Sequence, residues 1–335
     1  MQTKRLSVLT EGGKVFGFGH ITRCLSIVKY FDKYGVSIEF IVDGDDSILL
    51  MLKDYSFVLI DWLNDKSVLQ KIKKSTFILI DSLRVTDGHI QEIQKLGANV
   101  IYIDDDKRHN FLDKGFVLDW TILSDNKNYF LPKKKGVTYL LGSKYTPLRV
   151  EFKNIEKVST SKQIQNILVS FGGSDVRNLT PTVLATLNKN FPYLKKYIVI
   201  GTGFINNDSI KLHQDKNTTL VYNADAKKMA SLMQESDIAI SSGGQTLYEL
   251  AYLGLPTIAI LLVENAREDT EGWAEVGFID YIGGFDDIDL MKKLATSVEL
   301  LKDQKIRQKM QFNAAKFIDF NGGSLIVDAI MKGSV

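Results

Sequence analysis

The sequence predicts an α/β protein built from two doubly wound parallel-sheet domains. Three observations carry this. Short runs rich in β-branched and aromatic residues alternate with stretches of helical period through both halves of the chain, the rhythm that gives parallel strands and right-handed crossovers. In the first half, runs end in or just before Asp43, Asp61, Asp81 and Asp104, as suits the carboxyl edge of an open sheet, where ligands bind. In three places closely spaced glycines stand between such a run and the helix that follows.

Taken in order, strands are expected at 5–10, 37–42, 57–61, 77–81, 100–104 and 116–123, with helices at 21–34 and 88–96. The second half repeats the pattern, with strands at 164–170, 197–201, 218–221, 238–241 and 257–262 and helices near 180–190, 226–235 and 245–253. Residues 147–162 are charged and weakly periodic, which makes them the expected connection between a first domain, 1–150, and a second, 151–335. Helical period returns at 303–316 and 324–331, and the last helix is expected to pack back on the first domain.

Composition narrows the function. The chain has 335 residues, 44% hydrophobic and 24% charged, a balance that suits packed domains rather than disorder. Lys+Arg of 42 against Asp+Glu of 40 leaves a formal charge of +2, which argues against nucleic acid as a partner. Cys24 is the single cysteine, so neither a disulfide framework nor a metal site built on cysteines is available. Residues 1–13 carry no apolar core of the signal-peptide kind, and no apolar run approaches bilayer length. A cytoplasmic protein with no membrane span is expected.

Three segments carry chemistry. In the first, Gly17-Phe18-Gly19-His20 stands between a strand and a helix, with Arg23 one turn on. Glycines allow a sharp turn and close approach to a ligand, the helix start offers N–H groups to an anion, and a neutral imidazole there can act as a base. The plain alternative is a glycine turn with a surface histidine. Phe171-Gly172-Gly173-Ser174-Asp175 repeats the design, against the alternative that Asp175 or Asn178 simply caps the next helix. The third is Ser241-Ser242-Gly243-Gly244-Gln245-Thr246, followed by Glu249. Its helix N-terminus suits a diphosphate, and Glu249 suits ribose hydroxyls, unless it only complements the helix dipole. Three such turns in one chain favour a ligand.

Other polar groups are read more plainly. Asp43-Gly44-Asp45 looks like a metal-binding acidic triplet but stands as a solvated turn. Asp104-Asp105-Asp106 ends a strand on the ligand edge, where Asp104 can make a polar contact, against the plainer reading of a simple acidic loop. His89, His109 and His213 lie in polar segments without partners at ligand spacing and are expected at the surface. A hydride-transfer enzyme is disfavoured, because no Gly-x-Gly-x-x-Gly fingerprint with an acidic residue about twenty positions on is present in the first domain.

Together these segments resemble a known family. Gly17-x-Gly-His-x-x-Arg23, Ile103-Asp104-Asp105, Leu141-Gly-Ser-Lys-Tyr145-x-x-Leu-Arg149-x-Glu-Phe152, Phe171-Gly-Gly-Ser-Asp175, Gly243-Gly-x-Thr-x-x-Glu249 and Glu264-Asn265 occur in that order. They resemble the UDP-sugar hydrolases of pseudaminic acid biosynthesis and the related spore-coat polysaccharide proteins, both similar to the lipid II glycosyltransferase. The resemblance implies a GT-B fold, two Rossmann-like domains facing a cleft, with UDP clamped mainly by the second and the sugar facing the first. It implies that His20 corresponds to the histidine proposed to activate water, with Arg23 and Asn265 as sugar or phosphate contacts. N–H groups near Gly243, Gly244 and Gln245 would hold the departing UDP, and neither metal nor cofactor is required. Tyr145 and Arg149 are expected to shape the domain junction.

The sequence departs from that family in two places. Leu83 stands where the hydrolases commonly have a tyrosine, and Ala266 where they have a glutamine after the asparagine. Both fall on the sugar side, while the nucleotide turns are intact. The expected function is therefore metal-independent hydrolysis of a UDP-linked deoxyamino sugar in nonulosonic acid or surface polysaccharide synthesis. The alternatives are a GT-B glycosyltransferase with a hydroxyl acceptor, peripherally associated with a membrane if that acceptor is lipid-linked, and a non-catalytic nucleotide-sugar-binding protein.

Overall fold

Parallel strands in an α/β protein are covered on both faces, so they draw on unbroken apolar runs rather than alternation. Phe77-Ile78-Leu79-Ile80 and Thr257-Ile258-Ala259-Ile260 are such runs, buried throughout. The computed structural model describes residues 4–105, 107, 112–125, 133–205 and 207–333. The strands are β1 (Arg5–Gly12), β2 (Ser37–Gly44), β3 (Ser56–Leu59), β4 (Phe77–Asp81), β5 (Asn99–Ile103), β6 (Gly115–Asp119), β7 (Val137–Leu141), β8 (Asn166–Ser170), β9 (Lys195–Ile200), β10 (Thr218–Tyr222), β11 (Ile238–Ser242), β12 (Thr257–Leu261) and β13 (Ile279–Gly284). The α-helices are α1 (Gly19–Val28), α2 (Leu49–Leu52), α3 (Ser67–Ile72), α4 (Asp87–Gln94), α5 (Thr180–Asn190), α6 (Asn207–Leu212), α7 (Ala226–Gln234), α8 (Gln245–Leu253), α9 (Arg267–Glu275), α10 (Leu290–Leu300), α11 (Gln304–Ala314) and α12 (Gly322–Lys332).

The chain divides into two units, Met1–Leu148 with Asn321–Val335, and Arg149–Phe320. In the first unit a seven-stranded sheet runs β3-β2-β1-β4-β5-β6-β7, parallel throughout, with Leu6 opposite both Ile38 and Phe77. The order reverses between β1 and β4, and the carboxyl ends of those two strands frame the crevice where open sheets take their ligands. Ile78, Ile80, Val100 and Tyr102 pack under α3 and α4 with Val68, Ile72 and Ile90. The terminal helix α12 belongs to this unit. A side chain at Gly322 would collide with the Thr146 carbonyl and one at Gly323 with the Tyr30 ring. Lys33 and Tyr34 both reach Asp328 at 2.7 Å.

In the second unit six parallel strands run β10-β9-β8-β11-β12-β13, and the reversal falls between β8 and β11. Ile167, Val169, Ile240, Ile258 and Ile260 pack against Val183, Leu187, Leu294 and Val298 of α5 and α10.

The elements differ from the sequence reading in definable ways. The strand expected at 116–123 ends at Asp119, because the Asp119 side chain accepts from the Thr121 N–H and its carbonyl accepts from Ser124 and Gly142, which turns the chain. The helix expected over 21–34 is α-helical only to Val28 and continues as a 3₁₀ turn to Tyr34. Among the elements not foreseen are β7 (Val-Thr-Tyr-Leu-Leu) and, with their apolar residues diluted by lysine, aspartate, glutamate or glycine, β13, α9 and α10. Among the described residues, no helix is long and apolar enough to cross a membrane.

Candidate active site

In the first unit β1 delivers Glu11 and β4 delivers Asp81 to the switch point, and α1 starts beside them with His20 and Arg23 on its first two turns. The His20 Nδ1–H donates to Asp81 Oδ1 at 2.8 Å. An ionised carboxylate only accepts, so the proton sits on Nδ1 and the lone pair on Nε2. Arg23 grips the same carboxylate, Nε to Oδ2 at 2.6 Å and Nη2 to Oδ1 at 2.5 Å, and ion-pairs with Asp105 through Nη1. Burial pushes the Asp81 pKa up, but the charge of Arg23 and the hydrogen bonds from Arg23 and His20 outweigh it and hold the group well below the usual carboxylate range. Burial also pushes the Cys24 thiol up, with Asp81 adding to the effect, so Cys24 is not an available nucleophile.

The far side of the imidazole faces a second carboxylate. Glu11 Oε1 lies 3.9 Å from His20 Nε2, and Glu11 is buried. It accepts from Ser82 Oγ at 3.1 Å, the Leu83 N–H at 3.0 Å and Arg84 Nε at 2.8 Å. Arg84 also pairs with Asp43 and lies over the Phe16 ring, 4.4 Å from its centroid. At position 83, therefore, the backbone holds Glu11 and the leucine side chain is exposed.

Of the residues expected on this side, His20, Arg23 and the Gly17–Gly19 turn come together. Gly17 has φ +77°, and a side chain at Gly19 would meet open space. Asp104 is buried, and it is the neighbouring Asp105 that reaches Arg23. Asp106 and His109 lie outside the described residues. His89 closes a capping box with Thr86 at the start of α4, and His213 is exposed. Asp45 caps the turn after β2. Sequence reasoning missed Glu11, Arg84 and the tie between Asp81 and His20. The one signal for Glu11 was an acidic residue near the carboxyl end of a β-rich run.

The second unit offers backbone instead of charge. Gly244, the residue before α8, has φ +102° and ψ −166°, a conformation open essentially only to glycine, and no side chain caps that helix. A side chain at Gly243 would run into Thr270 Oγ1 and Ala266 Cβ, so the turn carrying exposed Asn265 packs directly on Gly243. Ser242, Gln245 and Thr246 are half-buried around it. After β8, Gly172 has φ +74° and Gly173 packs on Gly201, whose side-chain position is filled by the Gly173 carbonyl. Ser174 is half-buried beside them. Asp175 turns inward, accepting from Leu179 N–H at 3.0 Å, Thr180 N–H at 2.8 Å and Thr180 Oγ1 at 2.6 Å. Those bonds tie Asp175 to the start of α5. Arg177, also missed, lies in the same loop with its guanidinium 3.9 Å from the Phe285 ring centroid.

Glu249 is buried on α8, where Arg149 holds it in a bidentate pair, Nε to Oε1 at 2.6 Å and Nη2 to Oε2 at 2.7 Å. Each carboxylate oxygen keeps a further lone pair for a hydroxyl donor. Arg149, expected at the domain junction, therefore has this partner within the second unit.

Residues 166–276, from the first residue of β8 to just past α9, match the model of the glycosyltransferase family 28 C-terminal domain. Over its whole length the fold is similar to MurG of Acinetobacter baumannii, with a TM-score of 0.69, 16% identity, and coverage of 98% of this chain and 99% of that one. It is also similar to the UDP-GlcNAc 2-epimerase of Neisseria meningitidis bound to UDP-GlcNAc, with a TM-score of 0.65, 13% identity, and coverage of 98% and 100%. The chain has the two-domain GT-B fold, and its second unit carries the match to that glycosyltransferase domain. Among curated proteins, an uncharacterized protein of Methanocaldococcus jannaschii is 29% identical over 79% of this GT-B chain and 57% of its own length. A Helicobacter pylori protein named as a pseudaminic acid cytidylyltransferase and UDP-2,4-diacetamido-2,4,6-trideoxy-beta-L-altropyranose hydrolase is 24% identical over 86% of this chain and 49% of its own length. The Bacillus subtilis spore coat polysaccharide biosynthesis protein SpsG is 30% identical over 36% of this chain and 37% of its own. The chain thus spans about half the length of the first two relatives.

Proposed function

We propose that this GT-B enzyme hydrolyses a UDP-linked deoxyamino sugar without a metal ion, in the synthesis of a nonulosonic acid or a surface polysaccharide. The observation that carries the reading is the His20–Asp81 pair. A buried, ionised carboxylate fixes Nδ1–H at 2.8 Å and leaves Nε2 to take a proton from water as it attacks the anomeric carbon. Asp81 then holds the imidazolium that forms, as the orienting carboxylate of a triad does.

The second unit holds the nucleotide. The helix α8 start, with Gly243 and Gly244 in front and no side-chain cap, would meet the diphosphate with N–H groups and the positive end of the helix dipole. The same groups stabilise the negative charge on UDP as it leaves. Glu249, oriented by Arg149, would accept from the ribose hydroxyls, and Asn265, on the turn packed against Gly243, would contact phosphate or sugar. Arg23 keeps Asp81 ionised and in place. The relative named as an altropyranose hydrolase supports water as the nucleophile. A glycosyltransferase is the second reading. The match of the nucleotide-holding segment to a glycosyltransferase family favours it, and the base would serve a sugar hydroxyl equally well.

The deciding experiment incubates the protein with a panel of UDP-sugars, with and without hydroxyl acceptors, and follows UDP by mass spectrometry. UDP and free sugar are expected without any acceptor. His20→Asn is expected to slow their release at least about a hundredfold while calorimetric UDP affinity stays within about twofold. An unchanged rate in His20→Asn overturns the assignment of the base. UDP release that requires an acceptor converts the enzyme into a transferase.

A further inference from the structure

The imidazole of His20 stands between two carboxylates, and the reaction as described uses only one. Asp81 is bonded to Nδ1, while Glu11 faces Nε2 at 3.9 Å, beyond hydrogen-bond reach but inside the range of a strong charge interaction. Each carboxylate carries its own arginine, Arg23 on Asp81 and Arg84 on Glu11. Three donors from the loop after β4, the Ser82 hydroxyl, the Leu83 backbone N–H and Arg84 Nε, pin Glu11 in a buried position. A glutamate that only served the fold would have no reason to aim an oxygen at the nitrogen that must receive the proton.

We propose that Glu11, moderated by Arg84, is a second positioning carboxylate for His20, setting how readily Nε2 takes up and releases the proton of the attacking hydroxyl. This rests on His20 being the base. When water or a sugar hydroxyl loses its proton to Nε2, the oxygen forms its bond to the anomeric carbon as the bond from that carbon to the UDP oxygen breaks, its electron pair leaving with UDP, and the ring becomes an imidazolium with an N–H on each side. Glu11 then lies opposite the new N–H as Asp81 lies opposite the old one. Arg84 pairs with Glu11 and offsets part of its charge. The charged groups around the ring are Glu11 from β1, Asp81 from β4, Arg84 after β4 and Arg23 of α1, with Asp43 and Asp105 one step further through the two arginines and the Cys24 thiol 3.6 Å from Asp81.

The two halves of this device push in opposite directions, which makes it testable in the full-length protein without substrate. The chain has four histidines, so the ring C2–H resonance of His20 is assigned by its loss in His20→Asn. In Glu11→Gln the pH midpoint of that resonance is expected to fall by about 0.5 or more, and in Arg84→Gln to rise by a similar amount. Glu11→Asp, which keeps the charge, should stay nearer the wild type than Glu11→Gln. Turnover of a UDP-linked N-acetylhexosamine should drop at least about tenfold in Glu11→Gln, with calorimetric UDP affinity unchanged because the nucleotide turns belong to the other unit. Thermal melting of each variant reports its folding, and Arg84→Gln keeps the test open if Glu11→Gln does not fold. Midpoints that stay put in both variants while His20→Asn is inactive overturn the role of Glu11 alone. Full turnover in His20→Asn overturns the reading on which it rests.

Discussion

The two units share one topology and equip its crevice in opposite ways. At the carboxyl edge of the first sheet the strands end in Glu11, Asp43, Asp81 and Asp119, with Asp105 just beyond β5, and Arg23, Arg84 and His20 answer them. At the same edge of the second sheet the strands end or continue in Ser170, Gly172, Gly173, Gly201, Ser242, Gly243 and Gly244. A charged cluster fixes proton positions and suits chemistry on a sugar. A glycine-lined edge presents backbone N–H groups and suits an anion that must be held and released. The difference between the units lies in side chains rather than in fold.

That contrast is broken most severely at Asp81. Asp81→Asn keeps the shape of the side chain but replaces an acceptor with an amide that can donate to Nδ1. The favoured tautomer of His20 then moves its proton to Nε2, where the base is needed. Turnover is expected to fall by on the order of 10³- to 10⁴-fold with UDP affinity within about twofold, read by steady-state kinetics beside calorimetry. A loss of affinity equal to the loss of rate would mean that the first unit also holds nucleotide.

On the second unit the corresponding test is a glycine. Gly244→Ala places a Cβ on a residue at φ +102°, at a cost of about 1 to 3 kcal/mol if the turn is kept. The turn is expected to relax instead and re-aim the α8 N–H groups, weakening UDP binding by about 10- to 100-fold. Gly19→Ala is the control in the first unit, where the added methyl meets open space, and UDP affinity should not change. Equal effects from both would end the division of labour between side chains and backbone.

These two sites were unequally legible in the sequence. The glycine turns could be read because glycine between a strand and a helix has few other uses, and the elements that position them, β1, β8, β11 and α8, are strongly patterned. Asp175 shows the limit of that reading: the same spacing serves a tie to the start of the next helix, and only the inward turn of its carboxylate tells the two apart. The charged cluster was readable only in part. His20 and Arg23 share a helix, so their spacing places them together, but Glu11, Asp81 and Arg84 meet them through the order of strands, which periodicity does not specify. Glu249 was singled out on its own, and its partner Arg149, a hundred residues earlier, was placed elsewhere for the same reason. Strands such as β13, with Asp280, Gly283 and Gly284 among six residues, lack the apolar density that marks a strand.

The smallest expected effect concerns the stability cost of the charged edge. Asp119 is fully buried at the end of β6, its Oδ1 accepting from the Thr121 N–H at 2.9 Å while its Oδ2 has no hydrogen-bond partner among the described residues. Burial pushes its pKa up to about 8, against the hydrogen bonds from Thr121 and the charge of Lys107. Below about pH 4 the native and unfolded chains both hold this proton. Between there and pH 8 the unfolded chain has lost it and the native chain keeps it, so stability falls as pH rises and levels off once the native group ionises. Asp119→Asn removes that slope. Relative to the wild type it should be more stable at pH 8 than at pH 5, by on the order of 2 kcal/mol, read from denaturant midpoints at the two pH values. Gly19→Ala, which changes no titratable group, should shift stability by a similar amount at both. If Asp119→Asn also gives a pH-independent shift, the burial cost at β6 is met by a compensation outside this edge, and the first unit is less strained by its charges than the second by its glycines.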